Sequence, residues 1–165
     1  MERRRGETVR QTGSEAAPAD APAHARSAWK DGWFVVPWDV TWRDLDAAGH
    51  VNNAVFLSYF EWGRTRYWLA LEGTSDPGDI AFIVARAECD FLKQLSLGER
   101  IEIATRIGAM RNSSFDFHTE IRAEDGALAA TGKVVVVHFS WERNCKVPIP
   151  ETLRRRIEAF QRGEE

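Results

Sequence analysis

Residues 53–71 hold Val55, Phe56, Leu57, Tyr59, Phe60, Trp62, Tyr67, Trp68, Leu69 and Leu71, with no proline among them. A helix this apolar on most sides is normally a buried one. The rest of the chain therefore has to supply something that wraps it. Gly73, Pro77 and Gly78 follow, and glycine and proline together stop a helix. The stretch directly before it is polar and turn-forming, with Asp44, Asp46, Gly49, His50, Asn52 and Asn53. The start of a buried helix presents unpaired N–H groups and a partial positive charge. Carboxylates placed just ahead of that end are the first candidates for chemistry.

The remaining sequence reads as strands. Over 32–42, Phe34, Val36, Trp38, Val40 and Trp42 alternate with Val35, Pro37, Asp39 and Thr41, a period of two in aromatic and β-branched residues. Pro37 has no N–H to give a ladder, which predicts an edge or a bulge. Residues 80–91 place Ile83, Ala85, Ala87, Cys89 and Phe91 on one side. Ile101, Ile103, Thr105 and Ile107 alternate in the next strand, and Phe115, Phe117, Thr119 and Ile121 in the one after. Leu97-Gly98-Glu99, residues 111–114 and Glu124-Asp125-Gly126 separate these strands, Asp-Gly tolerating the positive φ of a tight hairpin. The last strand, 128–141, is apolar on both faces, which fits a central place in a sheet or an interface between subunits. After Pro148 and Pro150, a short helix sets Leu153, Ile157 and Phe160 on one side and three consecutive arginines outside. Short turns require antiparallel pairing, because parallel neighbours need long crossovers. An α+β fold follows, one antiparallel sheet curled round one buried helix.

Composition narrows the function. A length of 165 residues suits one domain with a substantial core. The formal charge is −3, with both signs interspersed, which offers no nucleic-acid footprint. No apolar run approaches the roughly 18 residues of a membrane span. Cys89 and Cys145 are too few for a disulfide framework, so a reducing cytoplasm is expected. Residues 1–28 open with Arg3, Arg4 and Arg5 and continue in Ala, Pro, Ser and Thr. They cannot bury enough to offset their ordering entropy. A disordered tail over 1–28 and a domain over 29–165 are therefore expected. His24, His50, His118 and His138 lack the clustered spacing of a zinc site. There is no Walker A loop, dinucleotide fingerprint or Gly-x-Ser-x-Gly elbow.

The order Asp-x-Asp-x-x-Gly-His-Val-Asn-Asn, from Asp44 to Asn53, followed by Tyr-Phe-Glu-x-x-Arg, from Tyr59 to Arg64, resembles the hot-dog fold acyl-CoA thioesterases of the 4-hydroxybenzoyl-CoA thioesterase-like type. The resemblance covers roughly residues 33–160. It includes Val84-Ala85-Arg86-Ala87-Glu88, Leu97-Gly98-Glu99, Arg111-Asn112-Ser113-Ser114 and Ala130-Thr131-Gly132, in that order. It implies a sheet wrapped round a central helix, a homodimer or homotetramer, and active sites between subunits. It puts Asp46 in the place of the catalytic carboxylate and the backbone N–H of Asn53 in that of the donor to the thioester carbonyl.

The chemistry suits these residue types. A carboxylate can activate water as a general base or attack directly to give a mixed anhydride, and the sequence leaves both routes open. N–H groups at a helix start stabilise the oxyanion without a dedicated side chain. Asp44 fits a structural role in the turn, His50 either orients substrate or water or binds backbone, and the Asn52 and Asn53 side chains suit capping. Glu61 is a candidate second carboxylate or an interface residue, able to pair with Arg64 at i, i+3. Arg111, Ser113 and Ser114 are the candidates for the phosphates of coenzyme A, with Arg86, Lys93 and Lys133 behind them. No cofactor or metal is expected beyond the coenzyme A of the substrate. Release of an acyl group from acyl carrier protein and a non-catalytic acyl-CoA-binding module are the alternatives.

Overall fold

The computed structural model describes residues 27–163. The tail expected over 1–28 lies outside the described residues up to position 26, while Ala28 already belongs to a strand. The elements run β1 (Ala28–Lys30), β2 (Trp33–Asp39), α1 (Asn53–Glu72), β3 (Phe82–Phe91), β4 (Arg100–Met110), β5 (Ser114–Arg122), β6 (Leu128–Ser140), β7 (Cys145–Lys146) and α2 (Glu151–Gln161). The sheet order is β1-β2-β4-β5-β6-β3, with β7 added to β6, and every pairing is antiparallel. After β2 the chain leaves the sheet, crosses it as α1 and re-enters at the far edge as β3. It then returns to lie beside β2 as β4. That single crossing sets α1 against the inner face, in the α+β arrangement expected of a hot-dog fold.

The inner face is built by alternation. Ile101, Ile103, Thr105 and Ile107 of β4 and Phe115, Phe117, Thr119 and Ile121 of β5 are all 3% exposed or less. Against them α1 buries Phe56, Tyr59, Phe60, Tyr67, Trp68, Leu69 and Leu71. The approach is close at two glycines. A Cβ on Gly63 would meet Thr105 Oγ1 at 2.5 Å, and one on Gly132 would meet the Phe60 ring at 2.1 Å.

Several features depart from the alternation read in sequence. β1 was not anticipated; Asp31 and Gly32, with φ of 53° and 77°, join it to β2, a pair of positive values suited to a two-residue hairpin turn. β1 pairs no further than Val35, so among the described residues Pro37 has no ladder partner on its outer side, the edge position expected. A bulge between Val84 and Arg86 shifts the phase of β3. Ile83 therefore faces opposite to Ala87, Cys89 and Phe91 instead of sharing their side. Trp42 lies beyond the end of β2 in a 3-10 turn, Trp42–Asp44, and is 77% exposed. Finally, α1 is not enclosed on all sides. Asn53, Ala54, Leu57, Ser58 and Glu61 form an exposed stripe along it.

Candidate active site

The loop ahead of α1 folds on its own hydrogen bonds. Asn52 N–H donates to the Asp44 carbonyl at 2.8 Å, Asp46 N–H to the His50 carbonyl at 2.9 Å, and Gly49 N–H to the Asp46 carbonyl at 3.1 Å. Gly49 sits at φ 80°, where a side chain would be strained. Val51 N–H donates to the Leu95 carbonyl at 3.0 Å, and His50 bridges to Ser96. These contacts lock the loop to the connection between β3 and β4.

Each polar residue of the motif then has a definite place. Asn52 is the N-cap of α1, its side chain accepting Ala54 N–H at 2.9 Å. Asn53 is the first helical residue, and its own N–H has no acceptor among the described residues. That is the orphan donor a helix start leaves. Asp46 accepts Ala48 N–H on Oδ1 at 2.8 Å, an Asx turn. Its Oδ2 has no partner among the described residues. Asp44 holds the turn, as expected, its carboxylate accepting from Thr41 N–H at 2.7 Å and the Thr41 hydroxyl at 3.0 Å.

Asp46, His50 and Asn53 line one cleft of about 370 Å³, together with Phe56, Phe91 and Lys93. One wall is polar and carries the tip of α1; the other is apolar and belongs to α1 and the end of β3. Lys93 is not free in it, since its ammonium meets Asp125 Oδ2 at 2.6 Å. That hydrogen bond, with one from Ala127 N–H, holds the Asp125 carboxyl below the usual range.

The other sequence candidates stand elsewhere within one chain. Glu61 is 69% exposed on the open stripe of α1 and reaches Arg64 at 3.7 Å, the i, i+3 pair expected. Burial pulls the Arg64 guanidinium below its ordinary pKa, and Glu61 partly offsets this. Arg111 grips Asp116 with both guanidinium nitrogens, at 2.7 and 3.0 Å. Ser113 and Ser114 are in the same turn, where the Ser113 carbonyl accepts His138 N–H at 2.9 Å and the Ser114 carbonyl accepts Arg111 N–H at 2.7 Å. The connection that binds Val51 and His50 leads into β4 at Arg100, and the 11 residues of β4 end at Met110, next to this turn. At 3.4 Å per residue the two ends lie roughly 35 Å apart. Of the three arginines read as exposed, Arg155 and Arg156 are exposed and Arg154 is partly covered; Arg154 donates to the Arg111 carbonyl and Arg156 to Glu72. Cys89 is half-buried, and burial followed by Asp90 pushes its thiol up to about 11, which makes a poor nucleophile. Among the described residues no three His, Cys, Asp or Glu side chains gather to hold a metal, and no helix is long and apolar enough to cross a membrane. Phe91 and Leu92 are cleft residues the sequence did not suggest, since β3 and the turn after it bring them there; Lys93, a phosphate candidate by sequence, lines the cleft with them.

Known proteins share this fold. Residues 40–157 match the family model of the thioesterase-like superfamily. The uncharacterized protein YsmA of Bacillus subtilis is 31% identical over 115 residues, 69% of this chain and 78% of that protein. The acyl-CoA thioesterase YbgC of Haemophilus influenzae is 28% identical over 112 residues, 65% of this chain and 82% of that one. A thioesterase from Thermus thermophilus, solved with coenzyme A and zinc, superposes with a TM-score of 0.69 at 39% identity, covering 76% of this chain and 97% of that one. With its sheet wrapped on one helix and its motif at that helix's tip, the chain belongs to the thioesterase-like superfamily of hot-dog thioester hydrolases.

Proposed function

We infer that the protein hydrolyses an acyl-CoA to the free acid and coenzyme A, with Asp46 as general base or nucleophile and Asn53 N–H polarising the carbonyl. The observation that carries this is the meeting of the two groups in one cleft: a carboxylate with an unengaged oxygen and a helix-start amide with no acceptor. In the reaction the thioester oxygen takes the Asn53 N–H, where the positive end of α1 stabilises its growing charge. Asp46 either removes a proton from the attacking water or attacks the carbonyl carbon itself. The C–S bond then breaks and coenzyme A leaves as the thiolate, which takes up a proton; in the second route water then hydrolyses the Asp46 anhydride, releasing the acid and restoring the carboxylate. No cofactor beyond the substrate's own coenzyme A enters these steps. Coenzyme A is favoured over acyl carrier protein by the names of YbgC and of the Thermus thermophilus complex. Enzyme is favoured over binding module by the intact pair of groups. A cytoplasmic location is the corresponding proposal.

The site is completed by a second copy of the chain, paired edge to edge on β3. That strand ends the sheet with Ile83, Val84 and Phe91 at 36%, 47% and 52% exposure, and a long apolar edge is normally covered. Antiparallel pairing of two β3 strands brings the partner's β3 start beside this cleft. The partner's Arg111–Ser114 turn then lies two strands away, about 10 Å. Those residues, with Glu61 on the open stripe of α1, so come within reach of coenzyme A.

Asp46→Asn tests the assignment cleanly, because Asn retains the oxygen that accepts Ala48 N–H while losing the charge. Turnover of acyl-CoA in a thiol-release assay is expected to fall by roughly 10²- to 10⁴-fold with the melting temperature unchanged. Turnover at the wild-type level would refute the role of Asp46.

A further inference from the structure

The turn between β4 and β5 has every carbonyl in use. That of Arg111 accepts from the Arg154 guanidinium of α2. That of Asn112 accepts from the same guanidinium at 3.2 Å and from Ile149 N–H at 2.8 Å. The Ser113 carbonyl accepts His138 N–H and the Ser114 carbonyl Arg111 N–H, at 2.9 and 2.7 Å. Its amides are another matter. A trans peptide points its C=O and N–H in opposite directions, and the chain has no cis peptide among the described residues. Fixing the Arg111 and Asn112 carbonyls on α2 therefore turns the N–H groups of Asn112 and Ser113 away from it. Neither amide has an acceptor among the described residues, and Asn112 is exposed. Successive amides facing outward from one turn make a concavity suited to an anion.

Arg154 stands at the other end of the same two peptides. Its neighbours Arg155 and Arg156 pair with Glu151 and Glu72, whereas Arg154 has no ion pair among the described residues. Its charge is therefore spent on carbonyls alone. A cation at the carbonyl end polarises a peptide and makes its N–H a stronger donor. The Arg111 side chain is less available, since two of its nitrogens already meet Asp116. Docking of α2 does not call for a charge at position 154, because Leu153 and Ile157, 7% and 0% exposed, anchor the helix.

We propose that the Asn112 and Ser113 amides form a phosphate-binding site, with Arg154 as its positioning residue, holding and polarising both peptides from behind. The occupant is a phosphate of coenzyme A, which rests on the acyl-CoA reading above. The test titrates coenzyme A into the full chain while the backbone amide resonances are followed. Pantetheine, the same thiol arm without phosphates, is titrated separately. Coenzyme A should move the Asn112 and Ser113 amides to lower field, and pantetheine should leave them in place. Arg154→Gln should weaken coenzyme A about tenfold, and Arg154→Lys, which keeps a charge on the carbonyls, should recover most of the loss. Arg155→Gln removes an equal charge from the exposed side of α2 and should bind coenzyme A as the wild type does. Amides unmoved by coenzyme A, or moved by inorganic phosphate alone, overturn the proposal. So does equal weakening by Arg154→Gln and Arg155→Gln, or an Arg154→Gln that weakens coenzyme A and pantetheine alike. A wild type whose amides respond to coenzyme A but which hydrolyses no acyl-CoA would sink the catalytic reading and leave this site standing.

Discussion

Asp116 shows how much a single position takes from its neighbours. Only 3% of its side chain is exposed, yet it is charged, because Arg111 binds it on both oxygens and Lys133 approaches at 3.4 Å. The Arg111 hydrogen bond, above all, holds its carboxyl below the ordinary 3.8, against the opposing effect of burial. A lowered carboxylate pKa stabilises the folded state above the unfolded value and ceases to do so as pH falls through the folded one. Asp116→Asn should therefore melt below the wild type at neutral pH, and the gap should close as pH drops below about 4. A gap that stays constant from pH 7 down to 2.5 would show that this ion pair contributes nothing to stability. The same coupling explains a limit of sequence reading. Arg111 read as a phosphate ligand because its carboxylate partner, five residues on, is brought opposite it only by the β4–β5 turn.

At the scale of elements, α1 was legible in outline, from its N-cap at Asn52 to its left-handed C-cap at Gly73, φ 66°. What its composition concealed is which side stays open. Ala54, Ser58 and Glu61 are small or charged and line up with Leu57 on the exposed stripe, whereas the large aromatics face the sheet. Gly63 separates local preference from packing. Helix propensity favours Ala over Gly by roughly 1 kcal/mol. Here the new methyl would strike Thr105 Oγ1 at 2.5 Å and Ile103 Cγ2 at 2.7 Å, and overpacking costs roughly 1–3 kcal/mol. The clash is the larger effect, so Gly63→Ala should lower the urea midpoint. A stabilised variant would mean that α1 can lift from β4 at little cost.

For the whole molecule, the decisive surface is β3. Among the described residues no strand pairs its outer edge, its apolar side chains are exposed, and its last residue, Phe91, lines the cleft. Pairing of two copies there predicts that Ala87→Lys, a charge at the middle of the strand, shifts the protein to a monomer in sedimentation. Activity should fall with it, while the far-UV spectrum stays that of the folded chain. A dimer that survives this substitution would place the interface on another surface.

By itself the sequence determined the helix, the four long strands, their turns and the motif at the helix tip. These follow from periodicity, from glycine and proline chemistry, and from side chains close together along the chain. Only the tertiary structure decided the strand order, the phase shift at the β3 bulge, the exposed stripe of α1 and the wall that Phe91 and Lys93 add to the cleft. It also separated the Asp46–Asn53 pair from Arg111, Ser113 and Ser114 by the length of β4. The physical reason is common to all of these: each depends on contacts between residues distant in sequence, and on which neighbour already occupies a hydrogen-bonding group.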